Sequence, residues 1–95
     1  MIYLTVVLTV REQDDIPFVR ATMTELGKLA KLDQGCVRFE VYHSQSDKRV
    51  FFLNEMWTDA ASLDAHRQTK AFVETYMKQV VPKLERAPHP CDLLV

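Results

Sequence analysis

The chain reads as an α+β fold of the ferredoxin-like type, in the order β-α-β-β-α-β, with one antiparallel sheet and its helices on one face. Three observations predict it. Residues 2–10 alternate between two faces with β-branched side chains throughout. A helical stripe of Ile16, Val19, Met23, Leu26 and Ala30 follows. Two further apolar stretches then flank the polar turn Ser44-Gln45-Ser46-Asp47-Lys48 before helical periodicity resumes.

In the first strand Ile2, Leu4, Val6, Leu8 and Val10 share one face, and Tyr3, Thr5, Val7 and Thr9 the other. The first helix is predicted from about Asp15 to Leu32, with Asp14-Asp15 and Pro17 as its N-terminal signal. Gly27 inside it costs up to about 1 kcal/mol against alanine and puts its straightness in question. Asp33-Gln34-Gly35 is the stop, with Gly35 read as a left-handed cap. The second strand is predicted to set Val37, Phe39 and Val41 against Arg38, Glu40 and Tyr42.

The third strand, 50–57, is apolar on both faces, with Phe51, Leu53 and Trp57 on one and Phe52 and Met56 on the other. A short helix is expected from Asp59 to about His66. A longer one follows from Thr69, its N-cap, to about Val81, burying Phe72, Val73, Tyr76 and Val80 and ending at Pro82. Pro88-His89-Pro90 reads as an extended connector, and Cys91 to Val95 as a short last strand.

Ninety-five residues make one domain, 1–95, and a small one that self-association would help. The outer sheet face, with Tyr3, Val7, Tyr42 and either Phe52 with Met56 or Phe51 with Trp57, is too apolar for a monomer. A homodimer packed sheet against sheet is expected. A net charge of −1 with no basic stripe argues against nucleic acid or an anionic membrane as partner. The apolar start lacks a charged leader and falls far short of the ~20 residues of a bilayer span. Cys36 and Cys91 follow no metal spacing and are expected as free thiols in a reducing cytoplasm.

Residues 51–66 concentrate the chemistry. A strand ends at Trp57, and the helix after it returns His66 on a stripe with Ala60 and Leu63. An indole and a titratable imidazole at one pocket edge suit binding of, and proton transfer to, a flat aromatic molecule. His66 is the candidate general base; its ring nitrogens would otherwise be satisfied by the Asp59–Asp64 turn or a backbone carbonyl. Glu55 and Asn54 interrupt an apolar strand on opposite faces, Glu55 in structural pairing with a partner such as Arg38 or, as the alternative, in acid/base chemistry, Asn54 as a group to orient a ligand hydroxyl. If the odd-numbered face looks toward the helices, Leu53, Glu55 and Trp57 line one space with His66, closed by Phe72 and Tyr76. His43 and His89 read as surface residues. No histidine–cysteine spacing fits a metal, and no glycine-rich loop fits a nucleotide.

With these elements placed, the chain resembles the antibiotic biosynthesis monooxygenase domain family, which includes small quinol monooxygenases. Gln34-Gly35-Cys36-Val37-Arg38-Phe39-Glu40-Val41 is close to the pattern E-x-G-C-x-R-F-x-V. Asn54-Glu55-Met56-Trp57-Thr58-Asp59, Leu63-Asp64-Ala65-His66 and Thr69 are close to E-x-W-x-D…L-x-A-H-x-x-T. The resemblance implies a dimeric α/β barrel with a pocket in each subunit. It also implies oxidation of a phenolic or quinol-like substrate by dioxygen with neither metal nor flavin, hence no cofactor. An isomerase on the same scaffold and a non-catalytic small-ligand-binding dimer are the alternatives. Haem-degrading members need an axial histidine in the last long helix, and none stands between His66 and His89. Lys70-Ala71 replaces the Pro-His of many relatives, and Leu26-Gly27 stands where some carry histidine or asparagine, which removes polar groups from the expected site.

Overall fold

A computed structural model describes residues 1–95. Strands β1 (Ile2–Val10), β2 (Cys36–His43), β3 (Val50–Trp57) and β4 (Leu84–Cys91) form one four-stranded sheet in the order β2-β3-β1-β4. All pairings are antiparallel. Helix α1 (Ile16–Ala30) follows β1, and α2 (Ala60–His66) follows β3. A π-helix, Ala71–Val80, and a single 3₁₀ turn, Val81–Lys83, lead into β4. This is the ferredoxin-like α+β architecture that the alternating strands predict.

The core lies between the sheet and the helices. Leu4, Val6, Leu8 and Val10 of β1 and Phe51, Leu53 and Trp57 of β3 are buried there, against Val19, Met23 and Ala30 of α1 and Tyr76 and Val80 of the π-helix. The odd-numbered face of β3 therefore looks toward the helices. Gly27 leaves α1 continuous, and a methyl group at that position would meet Val41 Cγ2 at 3.0 Å. Its missing side chain lets α1 lie close on β2.

The structure departs from the sequence reading in several places. A β-bulge between Cys36 and Arg38 breaks the alternation of β2, so Val37 is half exposed instead of sharing the inner face with Phe39. The last strand is Leu84–Cys91, whereas Asp92 to Val95 carry no regular structure. Pro88 and Pro90 are compatible with this because β4 is an edge strand, and prolines two apart lack their N–H on the same side. The final helix is of π type. With i→i+5 bonding each turn holds more residues, so the inward stripe steps from Phe72 to Tyr76 to Val80, and Val73 turns outward. Gly35 has φ 81, yet α1 is already closed by Leu32 N–H to Leu29 C=O and Asp33 N–H to Ala30 C=O. The glycine serves the following turn instead.

Candidate active site

That turn positions the first polar group of the site. Gly35 packs directly against Thr58 and Ser62 at the start of α2, where any side chain would overlap Ser62, and its carbonyl accepts from Thr58 N–H at 2.9 Å. Asp59, in extended conformation, caps α2 by accepting from Ser62 N–H at 2.8 Å, and these hydrogen bonds hold its carboxyl below the usual carboxylate range. With both ends of this junction fixed, Asp33 is carried to the far end of α2. There its Oδ2 meets Nδ1 of His66 at 2.7 Å, joining residues 33 apart in sequence.

His66 ends α2 and is only 9% exposed. Its ring lies 4.6 Å from the Trp57 ring, 5.3 Å from Phe72 and 5.8 Å from Phe39, centroid to centroid. A carboxylate at Nδ1 places the proton of the neutral imidazole on that nitrogen, leaving Nε2 with its lone pair and no partner in the chain. Such an imidazole, oriented by an acid and walled by aromatic rings, can take a proton from a ligand.

Glu55 projects from β3 into the same cavity and is 5% exposed. Its Oε1 accepts from Trp57 Nε1–H at 3.1 Å. Burial pushes its carboxyl above the usual range, opposed by the indole hydrogen bond and by the positive charges of His66, when its ring is protonated, and of Arg67 and Arg86. Tyr76, on the inward stripe of the π-helix, accepts at its hydroxyl from Arg86 Nε–H at 2.8 Å. Burial raises the phenol's pKa, and Arg86 works against that rise. Thr69 joins α2 to the π-helix: its hydroxyl donates to His66 C=O at 2.8 Å and accepts from Phe72 N–H at 3.2 Å.

Together these groups border a cavity of about 270 Å³ between the sheet and the helices, and twelve of its eighteen lining residues are hydrophobic. That volume suits a molecule of one or two fused rings and falls just under the ~300 Å³ at which small-molecule sites begin. Leu53, Glu55, His66, Phe72 and Tyr76 all line it. Trp57 does not; it is fully buried beneath, in contact with both His66 and Glu55. Asn54 lies on the opposite sheet face, outside the cavity, because neighbours along a strand alternate. Glu55 is not paired with Arg38, which the bulge sets opposite Met56 in an exposed position. Leu26 and Ala71 make apolar wall of the cavity.

Sequence reasoning missed Asp33, Arg67 and Arg86. Asp33 read as a turn former, and no spacing links it to His66. Arg86 was hidden because its segment was not assigned to a strand; a period-two reading of 84–90, with Leu84, Arg86 and Pro88 on one side, would have found it. No group of three or more histidine, cysteine or acidic side chains is placed to hold a metal ion.

No curated protein matches the chain significantly. Among solved structures, a conserved protein of Bacteroides thetaiotaomicron superposes with a TM-score of 0.88 at 23% identity, covering 97% of this chain and 96% of that one. Rv0793 of Mycobacterium tuberculosis gives 0.86 at 20% identity, covering 100% and 97%. A structure described as an antibiotic biosynthesis monooxygenase gives 0.85 at 19% identity, covering 98% and 99%. At these identities the likeness is one of fold. The sequence itself carries the assignment: residues 1–78 match the family described as antibiotic biosynthesis monooxygenase, and the chain belongs to that family.

Proposed function

We propose that the protein is a cofactor-independent monooxygenase that oxidises a small phenolic or quinol-like aromatic with dioxygen. The observation that carries this reading is the Asp33–His66 pair in the wall of an otherwise apolar cavity. Nε2 of His66 removes the phenolic proton, and the electron-rich anion itself reduces dioxygen. The protein's part is to orient the ring and keep water from it. Asp33 is the positioning residue that holds the imidazole in the basic tautomer. Leu53, Phe72 and Tyr76 grip the ring faces, and Trp57 backs the base.

The homodimer belongs to the same proposal. Tyr3, Val7, Phe52 and Met56 lie side by side on the outer sheet face, with Tyr42 at its β2 edge, and pairing two such faces would cover them. Cys36 and Cys91 stand on the opposite edge strands, too far across the sheet to bridge within one chain; a reducing, cytoplasmic setting is part of the same proposal.

A thermal-shift screen of small aromatics, followed by an oxygen electrode on each hit, tests the reading. Ligand-dependent oxygen uptake that disappears in His66→Ala, with the fold intact, is the expected result. Turnover without oxygen uptake would instead favour an isomerase using the same base, and binding without turnover a ligand carrier, the reading that apolar Leu26 and Ala71 favour.

A further inference from the structure

Glu55 is a carboxyl of the cavity that the proton abstraction above does not use. One oxygen is fixed by the Trp57 indole N–H. The other has no partner in the chain, and no buried side-chain oxygen is sealed away without one, so it borders the open space of the cavity. His66 rests on the same indole, so both groups are held by one rigid ring at the cavity's inner end. We propose, on the footing of the oxygenase reading above, that Glu55 is a second catalytic residue, its free oxygen supplying the proton that the departing oxygen atom requires.

The chemistry needs such a donor. His66 takes the phenolic proton, and the aryloxide joins dioxygen through a ring carbon that still bears hydrogen. The resulting peroxide recovers a proton from His66. His66 then removes the proton from that carbon, its C–H electron pair becomes the second bond of a new carbonyl, and the O–O bond breaks. The oxygen leaves as hydroxide unless an acid meets it; the proton of Glu55 makes it water, and the proton on His66 returns to the Glu55 carboxylate to reset the site. The sum is phenol plus dioxygen giving quinone plus water. The ring loses four electrons and dioxygen gains four, so no outside reductant enters. Substrates must therefore carry a hydrogen ortho or para to the hydroxyl. Burial favours the neutral carboxyl that this step uses.

The test compares wild type with Glu55→Gln, which keeps the acceptor for Trp57 but cannot give up a proton, using 1,4-naphthalenediol in an oxygen electrode across pH. In the variant kcat should fall by about 10²–10⁴ with KM within a few-fold, and the loss of rate at high pH should vanish. Glu55→Asp should recover part of the rate. A variant within three-fold of wild type that keeps its alkaline limb would overturn the proposal. Infrared difference spectra, wild type minus Glu55→Gln, should show a protonated-carboxyl stretch at the assay pH, and its absence overturns the proposal whatever the substrate. That stretch in a wild type that consumes no oxygen would sink the oxygenase reading, and with it the acid's role there.

Discussion

A carboxyl buried as Glu55 is makes folding sensitive to pH. Its folded pKa lies above the unfolded value because burial penalises the charge. Its contribution to stability is thus fully present below the ordinary carboxylate range and is lost as pH rises through the folded value. Melting curves of wild type and Glu55→Gln should lie close at acid pH and separate in the variant's favour as pH climbs. At His66, substitution by alanine should lower turnover by about 10²–10⁴ without unfolding the chain. Asp33→Asn should also reduce kcat, by less, while leaving ligand affinity nearly unchanged. Burial, then the charges of Asp33 and Glu55, raise the Cys36 thiol, so it should stay unreactive. Mass measurement without reductant should find two free thiols per chain. Periodicity groups Leu53 with Glu55 on one face of β3 and sets His66 and Tyr76 on helix stripes, and only the structure says that this face meets the helices. Asp33 is not legible at all, because a contact between a turn and a helix end leaves no period to read.

The elements were legible for the same reason, and failed where periodicity breaks. Strands β1 and β3 have unbroken alternation, and their faces came out as read. In β2 one extra residue at the bulge reverses the phase, which no pattern of side chains announces. The π-helix has the same composition as an α-helix and differs only in hydrogen-bond step, so Val73 was placed inward on a three-residue interval that the real winding does not use. Prolines concealed β4, since edge position is a property of the finished sheet. Gly35 is the junction on which the site depends. Gly35→Ala should cost about 1–3 kcal/mol from the backbone alone. The added overlap with Ser62 should then pull the turn off α2 and part Asp33 from His66. Chemical denaturation would measure the first effect and the rate of the folded fraction the second.

For the whole molecule the sheet's two faces set the expectations. The inner face carries the core and the site, and the outer one leaves Phe52 38% and Tyr42 51% exposed. Phe52→Lys, beside Val7 in the register, should convert a dimer to a monomer in sedimentation velocity with little change in secondary structure. A wild type that sediments as a monomer at micromolar concentration would remove the sheet-on-sheet assembly. The π-helix sets a different quantity, the order in which parts of the molecule exchange amide hydrogens with solvent. It buries only Tyr76 and Val80, whereas β1 is hydrogen-bonded on both sides and buries Leu4, Val6, Leu8 and Val10. Its amides should therefore exchange first among the regular elements near the site, through openings far cheaper than global unfolding. Phe72 and Tyr76 ride on that element, so each opening loosens one wall of the cavity. Deuterium uptake at 71–80 then reads how often that wall yields to a ring entering or a product leaving.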